Sequence, residues 1–147
     1  MPPTRSSAGL TLIELLVVIV VLGVLATLVA PNVFRHVGTA KAATARSQIE
    51  LLVAALDAYR LDNEAYPTTE QGLEALRREP LIEPRPRNWR GPYLRKDVPL
   101  DPWGRPYIYR RAGHAANGDG FEYELLSYGR DGAPGGEGED ADISAWE

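Results

Sequence analysis

The chain has 147 residues, 16 basic and 20 acidic side chains, and a net charge of −4. This length accommodates one membrane helix and one small soluble domain. The lack of cysteine excludes disulfides, thiol catalysis and cysteine-based zinc sites, and two histidines are too few for a histidine-rich metal site. The negative charge and the scattered basic residues argue against nucleic-acid binding.

An apolar segment, residues 10–30, contains a single charged residue, Glu14. As a helix it would extend about 30 Å, which is enough to cross the hydrocarbon core of a bilayer. A carboxylate in such a helix costs roughly 2.5–3.5 kcal/mol on insertion scales, so we expect Glu14 to have a partner. A secretory signal peptide fits poorly, because Arg5 is the only basic residue before the segment and the segment is too long. A simple membrane anchor would leave Glu14 unexplained.

The residues around Gly9 suggest the partner. Gly9 follows a small residue and precedes Leu10-Thr11-Leu12-Ile13-Glu14, and this junction resembles the prepilin-peptidase site of type IV pilins and pseudopilins. The resemblance implies cleavage after Gly9, methylation of Leu10, a cytoplasmic leader and an exported C-terminal domain. Cleavage would create an α-amino group four residues before Glu14. Leu10 departs from the family, which usually has phenylalanine or methionine at this position.

A second helical segment, residues 31–65, is predicted to be amphipathic. Its apolar residues recur at mostly three- and four-residue steps, namely Val33, Val37, Ala40, Ala45, Ile49, Leu52, Leu56 and Tyr59. Pro31 should bend the helix or unwind it locally, and Tyr66-Pro67 should end it. We therefore expect one long kinked helix over residues 10–64. The small residues Gly23, Ala26 and Ala30 allow close helix approach or are incidental.

The remaining segment, residues 66–147, is predicted to contain loops and a small sheet. A short helix should lie within residues 66–76, capped by Thr69. Residues 78–101 contain five prolines and are predicted to form a loop, in which Trp89 and Tyr93 are packing anchors. The alternation of apolar and polar residues predicts two antiparallel strands joined by a loop at residues 110–120, with the apolar positions Tyr107, Tyr109, Phe121, Tyr123 and Leu125.

Three motifs in this part resemble the major pseudopilin of type II secretion, the G-type subunit. They are Tyr-Pro-Thr-x-x-x-Gly-Leu-x-x-Leu at residues 66–76, Asp-Pro-Trp-Gly-x-Pro-Tyr-x-Tyr at residues 101–109, and Ser-x-Gly-x-Asp-Gly at residues 127–132. The last is followed by Asp142-Ile143 and Trp146. The resemblance implies a type IV pilin-like α+β fold, in which the long kinked helix packs on a small antiparallel sheet. It implies a leader at residues 1–9, a transmembrane and assembly helix at residues 10–30, and a periplasmic domain at residues 31–147, with its loop and β region at residues 66–147.

Residues 131–147 contain six acidic residues, four glycines and no basic residue. Composition alone favours a solvated acidic tail, although clustered carboxylates on a flexible backbone also suit Ca²⁺. Asp131 and Asp142 have the spacing of an EF-hand loop, but Ala133 and Gly135 lack the required side-chain oxygens. The apolar residues that follow, Ile143 and Trp146, indicate that the tail is tied back to the domain.

The family resemblance implies one structural calcium ion in this loop. By position, Asp131 and Asp142 would be side-chain ligands, together with Asp140. Backbone carbonyls near Ser127 and Tyr128 would complete the shell.

The implied function is structural, with no catalytic residues. The chain would be a precursor in the bacterial inner membrane that polymerises into a helical periplasmic pseudopilus, where Glu14 neutralises the amine of a neighbouring subunit. Its partners would be other copies, minor pseudopilins, the inner-membrane assembly platform and prepilin peptidase. The alternative is a type IV pilin for adhesion, motility or DNA uptake, which typically has the C-terminal cysteine pair that is absent here. A membrane-anchored hydrolase is disfavoured because no nucleophile motif is present.

Overall fold

The computed structural model describes Gly9, residues 11–112 and residues 121–146, with only the backbone described at residues 28–36. The chain divides into two compact units, Met1–Val37 and Gly38–Glu147. Its elements are a long helix and a small three-stranded sheet, together with two short 3₁₀ helices at Leu73–Leu76 and Gly138–Asp140. The helix is α1 (Leu12–Asn63), and the strands are β1 (Ile108–Arg111), β2 (Tyr123–Ser127) and β3 (Ile143–Ser144). The predicted long helix and antiparallel sheet are confirmed.

The first unit consists of the N-terminal part of α1. Every described side chain from residue 11 to residue 27 is exposed. Within the part of the chain that the structure describes, no helix meets the length and apolarity needed to cross a membrane. The backbone is helical through Pro31, so the local unwinding considered there is wrong, while the bend remains a prediction.

The second unit is built on one face of α1. The buried residues of the predicted stripe are Ala45, Ile49, Leu52, Leu56 and Tyr59, each at most 3% exposed, which confirms the C-terminal part of the stripe. Val37 and Ala40 belong to the same stripe but are exposed. Gly38 is buried against Glu139, but the apolar core covers the helix only from Ala42 onward, so an apolar period does not by itself indicate burial. Val33 lies outside the described side chains.

The sheet has the order β1-β2-β3 and is antiparallel throughout. Tyr109 of β1 pairs with Leu125 of β2, and both side chains are buried in the core with the face of α1. The two predicted strands are confirmed, whereas β3 was not predicted. β3 is paired through Ser127 and Ile143, so the predicted return of the tail to the domain is confirmed.

Phe121 does not occupy the inward position that the alternation predicts. It lies before β2, is 44% exposed, and stacks on Trp146 with a centroid distance of 4.4 Å. The Trp146 indole Nε1–H donates to the Tyr123 carbonyl at 2.9 Å. The aromatic pair therefore fixes the end of the described chain beside the start of β2.

The loops before the sheet are fastened to α1 and to one another. Thr69 does not cap the short 3₁₀ helix, and that prediction is wrong. Thr68 and Gln71 instead bond reciprocally, with Gln71 N–H donating to Thr68 Oγ1 at 3.2 Å and Thr68 N–H donating to Gln71 Oε1 at 3.0 Å. Thr69 Oγ1 accepts from the Arg111 N–H across the domain, which explains why it is not at the cap.

The long proline-rich loop has the two anchors predicted for it. Trp89 donates from Nε1 to the Ala75 carbonyl at 3.0 Å, and the Tyr93 hydroxyl donates to Asp62 at 2.9 Å. Both rings pack against the core. The loop is thus held by aromatic side chains that turn back toward α1.

Two buried tyrosines of the sheet provide a test of the core. Burial raises the pKa of both the Tyr109 and Tyr123 hydroxyls, so both stay protonated at neutral pH. The Tyr109 hydroxyl donates to the Pro67 carbonyl at 2.8 Å, whereas the Tyr123 hydroxyl is buried without a partner among the described residues.

We expect Tyr109→Phe to lower the free energy of unfolding by about 1 kcal/mol or more, because it removes a buried hydrogen bond. Tyr123→Phe should leave it unchanged or raise it, because no bond is lost. Chemical denaturation of the detergent-solubilised chain measures both variants, and equal losses would contradict the assignment.

Candidate functional site

The first candidate site is the N-terminal segment around Gly9. Gly9 is exposed, and a Cβ added there would meet no atom within 4 Å. Within the described residues there is therefore no steric reason for glycine at this position. Leu10 lies outside the described residues. Glu14 is exposed in the first turn of α1 and forms no ion pair with any residue that the structure describes.

Thr11 and Glu14 together begin the helix. The Glu14 N–H donates to Thr11 Oγ1 at 3.3 Å, and the Leu15 N–H donates to the Thr11 carbonyl at 3.1 Å. A threonine followed three residues later by glutamate is the pattern of a capping box, and an acidic side chain in the first turn also favours the helix dipole. Sequence reasoning missed this role of Thr11, although the pattern was available to it.

The second candidate site is the acidic loop, residues 129–142, which joins β2 to β3. The loop folds back on itself at Gly129 and Gly136, both of which have positive φ angles, 62° and 90°. A side chain at Gly129 would collide with the Ala141 carbonyl, and one at Gly136 would collide with the Asp140 carbonyl. These glycines bring the two ends of the loop together.

Arg130 neutralises two of the carboxylates in the loop. Its guanidinium donates from Nε and Nη2 to the two oxygens of Asp140, at 2.8 Å and 2.9 Å, and from Nη1 to Glu139 at 3.2 Å. The hydrogen bonds from Arg130 hold the pKa of Asp140 below its usual range. The Glu139 carboxylate also lies directly against Gly38 of α1, where a side chain would collide with it. Asp140, predicted as a metal ligand, is therefore engaged by an arginine.

The other two predicted side-chain ligands, Asp131 and Asp142, accept fewer hydrogen bonds than Asp140 does. Asp142 Oδ2 accepts from the Gly135 N–H at 2.9 Å, whereas its Oδ1 is buried without a partner among the described residues. Asp131 is exposed and accepts from the Ala133 N–H at 3.0 Å. A buried carboxylate oxygen without a donor fits a cation that prefers oxygen ligands. No group of three or more acidic, histidine or cysteine side chains in the described residues could hold a metal, so backbone oxygens would have to contribute.

Ser127 and Tyr128 lie where β2 enters the loop. The Ser127 hydroxyl is buried and donates to Asp101 Oδ2 at 2.6 Å, and the Tyr128 carbonyl accepts from the Gly132 N–H at 3.2 Å. Asp101 and Arg105 were not singled out from the sequence, yet they connect the preceding turn to this loop. An aspartate that begins a turn is a recognisable signal for Asp101, whereas nothing in the sequence indicated what Arg105 contacts.

The chain is similar in sequence to known protein families and to individual bacterial proteins. The sequence model described as "Type II secretion system (T2SS), protein G" matches residues 32–146, and that of the "Prokaryotic N-terminal methylation motif" matches residues 4–30. The chain is 47% identical over 143 residues to the type II secretion system core protein G of Pseudomonas aeruginosa, with 97% of each chain covered. It is 44% identical over 147 residues to the protein of the same name from Vibrio cholerae, covering 99% of this chain and 96% of the relative.

A solved structure is also similar. The crystal structure of the major pseudopilin from the type 2 secretion system of enterohaemorrhagic Escherichia coli superposes with a TM-score of 0.63 and 39% identity. The match covers 79% of this chain and 95% of that one. The resemblance in sequence therefore extends to the arrangement of helix and sheet.

Proposed function

This chain belongs to the type II secretion system protein G family, and from that premise we propose that it is the major subunit of a periplasmic pseudopilus. As a pseudopilus subunit it assembles with other components of the secretion system. Polymerisation of the filament in the periplasm would promote the export of folded proteins across the outer membrane. The family is structural, and we assign no catalytic residue. The type IV pilin alternative loses support because the matched family and relatives are secretion proteins.

The observation that carries the proposal is the exposed apolar surface of α1. Large side chains from Leu12 to Leu25 are between 46% and 82% exposed. Apolar surface on this scale marks contact with another molecule or a membrane. We propose that lipid covers it before assembly and that other copies cover it afterwards. The apolar sequence continues to Ala30, which supports a single pass through the inner membrane with a periplasmic C-terminal domain.

Gly23 gives independent support for packing between copies. It lies inside α1, where glycine costs about 1 kcal/mol relative to alanine, and a Cβ added to it would meet nothing within 4 Å. The part of the chain that the structure describes therefore offers no packing reason for the glycine. Close approach of a second helix would supply one.

Processing at Gly9 is supported by the methylation motif that matches residues 4–30 and by the lack of any steric need for this glycine. We propose that prepilin peptidase cleaves after Gly9 and that Leu10 is methylated. The new amine would stand next to Thr11, at the end of α1 that carries the positive pole of the helix dipole. A carboxylate from another copy would offset both charges, and Glu14 is the acidic residue within the apolar segment.

We propose further that the acidic loop binds one Ca²⁺ ion. The supporting observation is the buried Asp142 Oδ1, which has no donor among the described residues, in a loop rich in carboxylate and carbonyl oxygens. Asp131 and Asp142 would hold the ion with backbone oxygens near Ser127 and Tyr128. Asp140 would join them only by giving up its bonds with Arg130. Minor pseudopilins and the inner-membrane platform are the further partners we propose, and nucleic acid is not among them.

The first prediction concerns processing. Intact-mass measurement of the membrane-extracted protein should show loss of residues 1–9 and one added methyl group. The same measurement in cells without prepilin peptidase is the control, and it should return the full-length chain. Full-length protein in cells with an active peptidase would contradict the proposal.

The second prediction separates the charge of Glu14 from its place in the helix cap. Glu14→Gln keeps a side chain that suits the capping box but removes the charge, so it should insert in the membrane and fail to assemble. Thr11→Ala removes the cap and keeps the charge. It should still assemble, because losing a cap costs only about 1 kcal/mol.

Electron microscopy of filaments and a secretion assay measure both variants. Normal filaments from Glu14→Gln would refute the pairing with a neighbouring amine. Failure of Thr11→Ala together with normal filaments from Glu14→Gln would assign Glu14 to helix capping instead.

The third prediction concerns calcium. A ligand that binds only the folded state stabilises it by about 2.7 kcal/mol at a hundredfold excess over Kd. The detergent-solubilised chain should therefore melt several degrees higher in Ca²⁺ than in chelator, with Mg²⁺ a poor substitute. Asp131→Asn and Asp142→Asn should each abolish the difference. A melting temperature of the unsubstituted chain that ignores Ca²⁺ would return the loop to a solvated acidic segment.

A further inference from the structure

Arg105 makes an unusual set of contacts with the acidic loop. Its guanidinium donates from Nη1 to the Gly129 carbonyl at 3.0 Å and to the Arg130 carbonyl at 2.8 Å. The Nη2 group donates to the Asp131 carbonyl at 3.2 Å. A single fixed positive charge thus occupies three successive backbone acceptors at the start of the loop. Gly132 leaves room for it, because a side chain there would collide with the guanidinium.

The starting point of the Arg105 side chain is itself fixed. Asp101 Oδ1 accepts from the Arg105 N–H at 2.8 Å and from the Trp103 N–H at 3.0 Å. Its other oxygen, Oδ2, accepts from the Ser127 hydroxyl. The same buried carboxylate therefore holds both the residue that carries the guanidinium and the end of the strand from which the loop departs. This geometry gives Arg105 a short, defined path to the carbonyls.

The later part of the loop, residues 133–142, is held differently. Its internal bonds include the Gly135 N–H to Asp142 Oδ2 at 2.9 Å, and Arg130 pairs with Glu139 and Asp140. Among the described residues, Asp142 Oδ1 has no donor. The buried oxygen without a donor therefore lies in the later part. In the first part, residues 129–132, the backbone carbonyls of residues 129–131 already accept hydrogen bonds from Arg105.

We propose that Arg105 is a positioning residue that acts as a built-in cation for the first part of the acidic loop. It holds the backbone carbonyls of residues 129–131 without a metal, so that the backbone of this part stays ordered in chelator. It also occupies the carbonyls of residues 129–131, which a Ca²⁺ ion could otherwise use, so the ion is directed to the oxygens of Asp131, Asp142 and the strand end. The role of Arg105 in directing Ca²⁺ to particular oxygens rests on the calcium binding proposed above. Its role in ordering the first part of the loop does not.

Hydrogen exchange of the full-length chain in detergent micelles tests this proposal, measured with residue-level fragmentation in Ca²⁺ and in chelator. The Gly132 amide, which donates to the Tyr128 carbonyl, reports on the first part. The Gly135 amide, which donates to Asp142, reports on the later part. In the unsubstituted chain, chelation should accelerate exchange at Gly135 and leave Gly132 nearly unchanged.

Arg105→Gln should make Gly132 exchange roughly tenfold faster or more in chelator, because hydrogen bonds from a charged donor are among the stronger ones in proteins. Ca²⁺ should slow that exchange again, so that Gly132 becomes metal-dependent. Arg105→Lys should lie between the two, since an ammonium keeps the charge but cannot span three carbonyls as a planar guanidinium does. A variant that only destabilised the domain would not make the exchange rate of the Gly132 amide depend on Ca²⁺.

The matched control is Arg77→Gln. Arg77 also donates to a loop carbonyl, that of Leu94, and pairs with Asp97, but it does not touch the acidic loop. This variant should leave Gly132 and Gly135 exchange as in the unsubstituted chain. Slow Gly132 exchange in Arg105→Gln with chelator would overturn the role of Arg105, as would equal acceleration of Gly132 and Gly135 by chelation of the unsubstituted chain.

Failure of the calcium proposal has a different signature. Ca²⁺ would then alter no loop amide in any variant, which would also overturn the selection of metal ligands by Arg105. Gly132 would still exchange faster in Arg105→Gln under that outcome. This result would support the ordering of the loop by Arg105 but not its effect on Ca²⁺ binding.

Discussion

The buried carboxylate of Asp101 is the interaction on which the arrangement of the C-terminal half depends. Its oxygens accept hydrogen bonds from two backbone N–H groups of its own turn and from the hydroxyl of Ser127. A buried carboxylate is stable only when such donors surround it. The turn, the end of β2 and the beginning of the acidic loop are therefore joined at one point. Arg105 reaches the loop because this point holds its backbone in place.

The long helix α1 serves two kinds of contact along its length. From Ala45 to Tyr59 one of its faces is buried by the sheet and loops of the same chain. From Leu12 to Leu25 its large apolar side chains are exposed. Only the first set contributes to the stability of the domain on its own. The second set gains from burial only in a membrane or among other copies, which is consistent with the assembly role proposed above.

The sequence allowed prediction of those features that depend on local periodicity. The apolar steps from Ala45 to Tyr59 and the alternation through Tyr109 and Tyr123 were sufficient for the helix and two strands. Phe121 follows the same alternation but is exposed, because its partner is the distant Trp146 and not the core. β3 has only two residues, too few to show any period. The contacts of Arg105 link residues that are 24 to 26 positions apart, and no local pattern reports them.

The acidic loop also affects the packing of the core, because it connects β2 to β3. Ile143 is 4% exposed in the core with α1, and its place there depends on the two-residue strand that the loop delivers. Closing a loop costs conformational entropy, and the pairing of only two residues in β3 offsets little of that cost. In a small domain without cysteines, the hydrogen bonds of Arg105 and Arg130 add to the backbone bonds within the loop, and a bound cation would add further constraint. Loosening of the loop would weaken the pairing of Ile143 with Ser127, so the hydrogen bonds of Arg105 and Arg130 in an exposed loop bear on the packing of the core behind it.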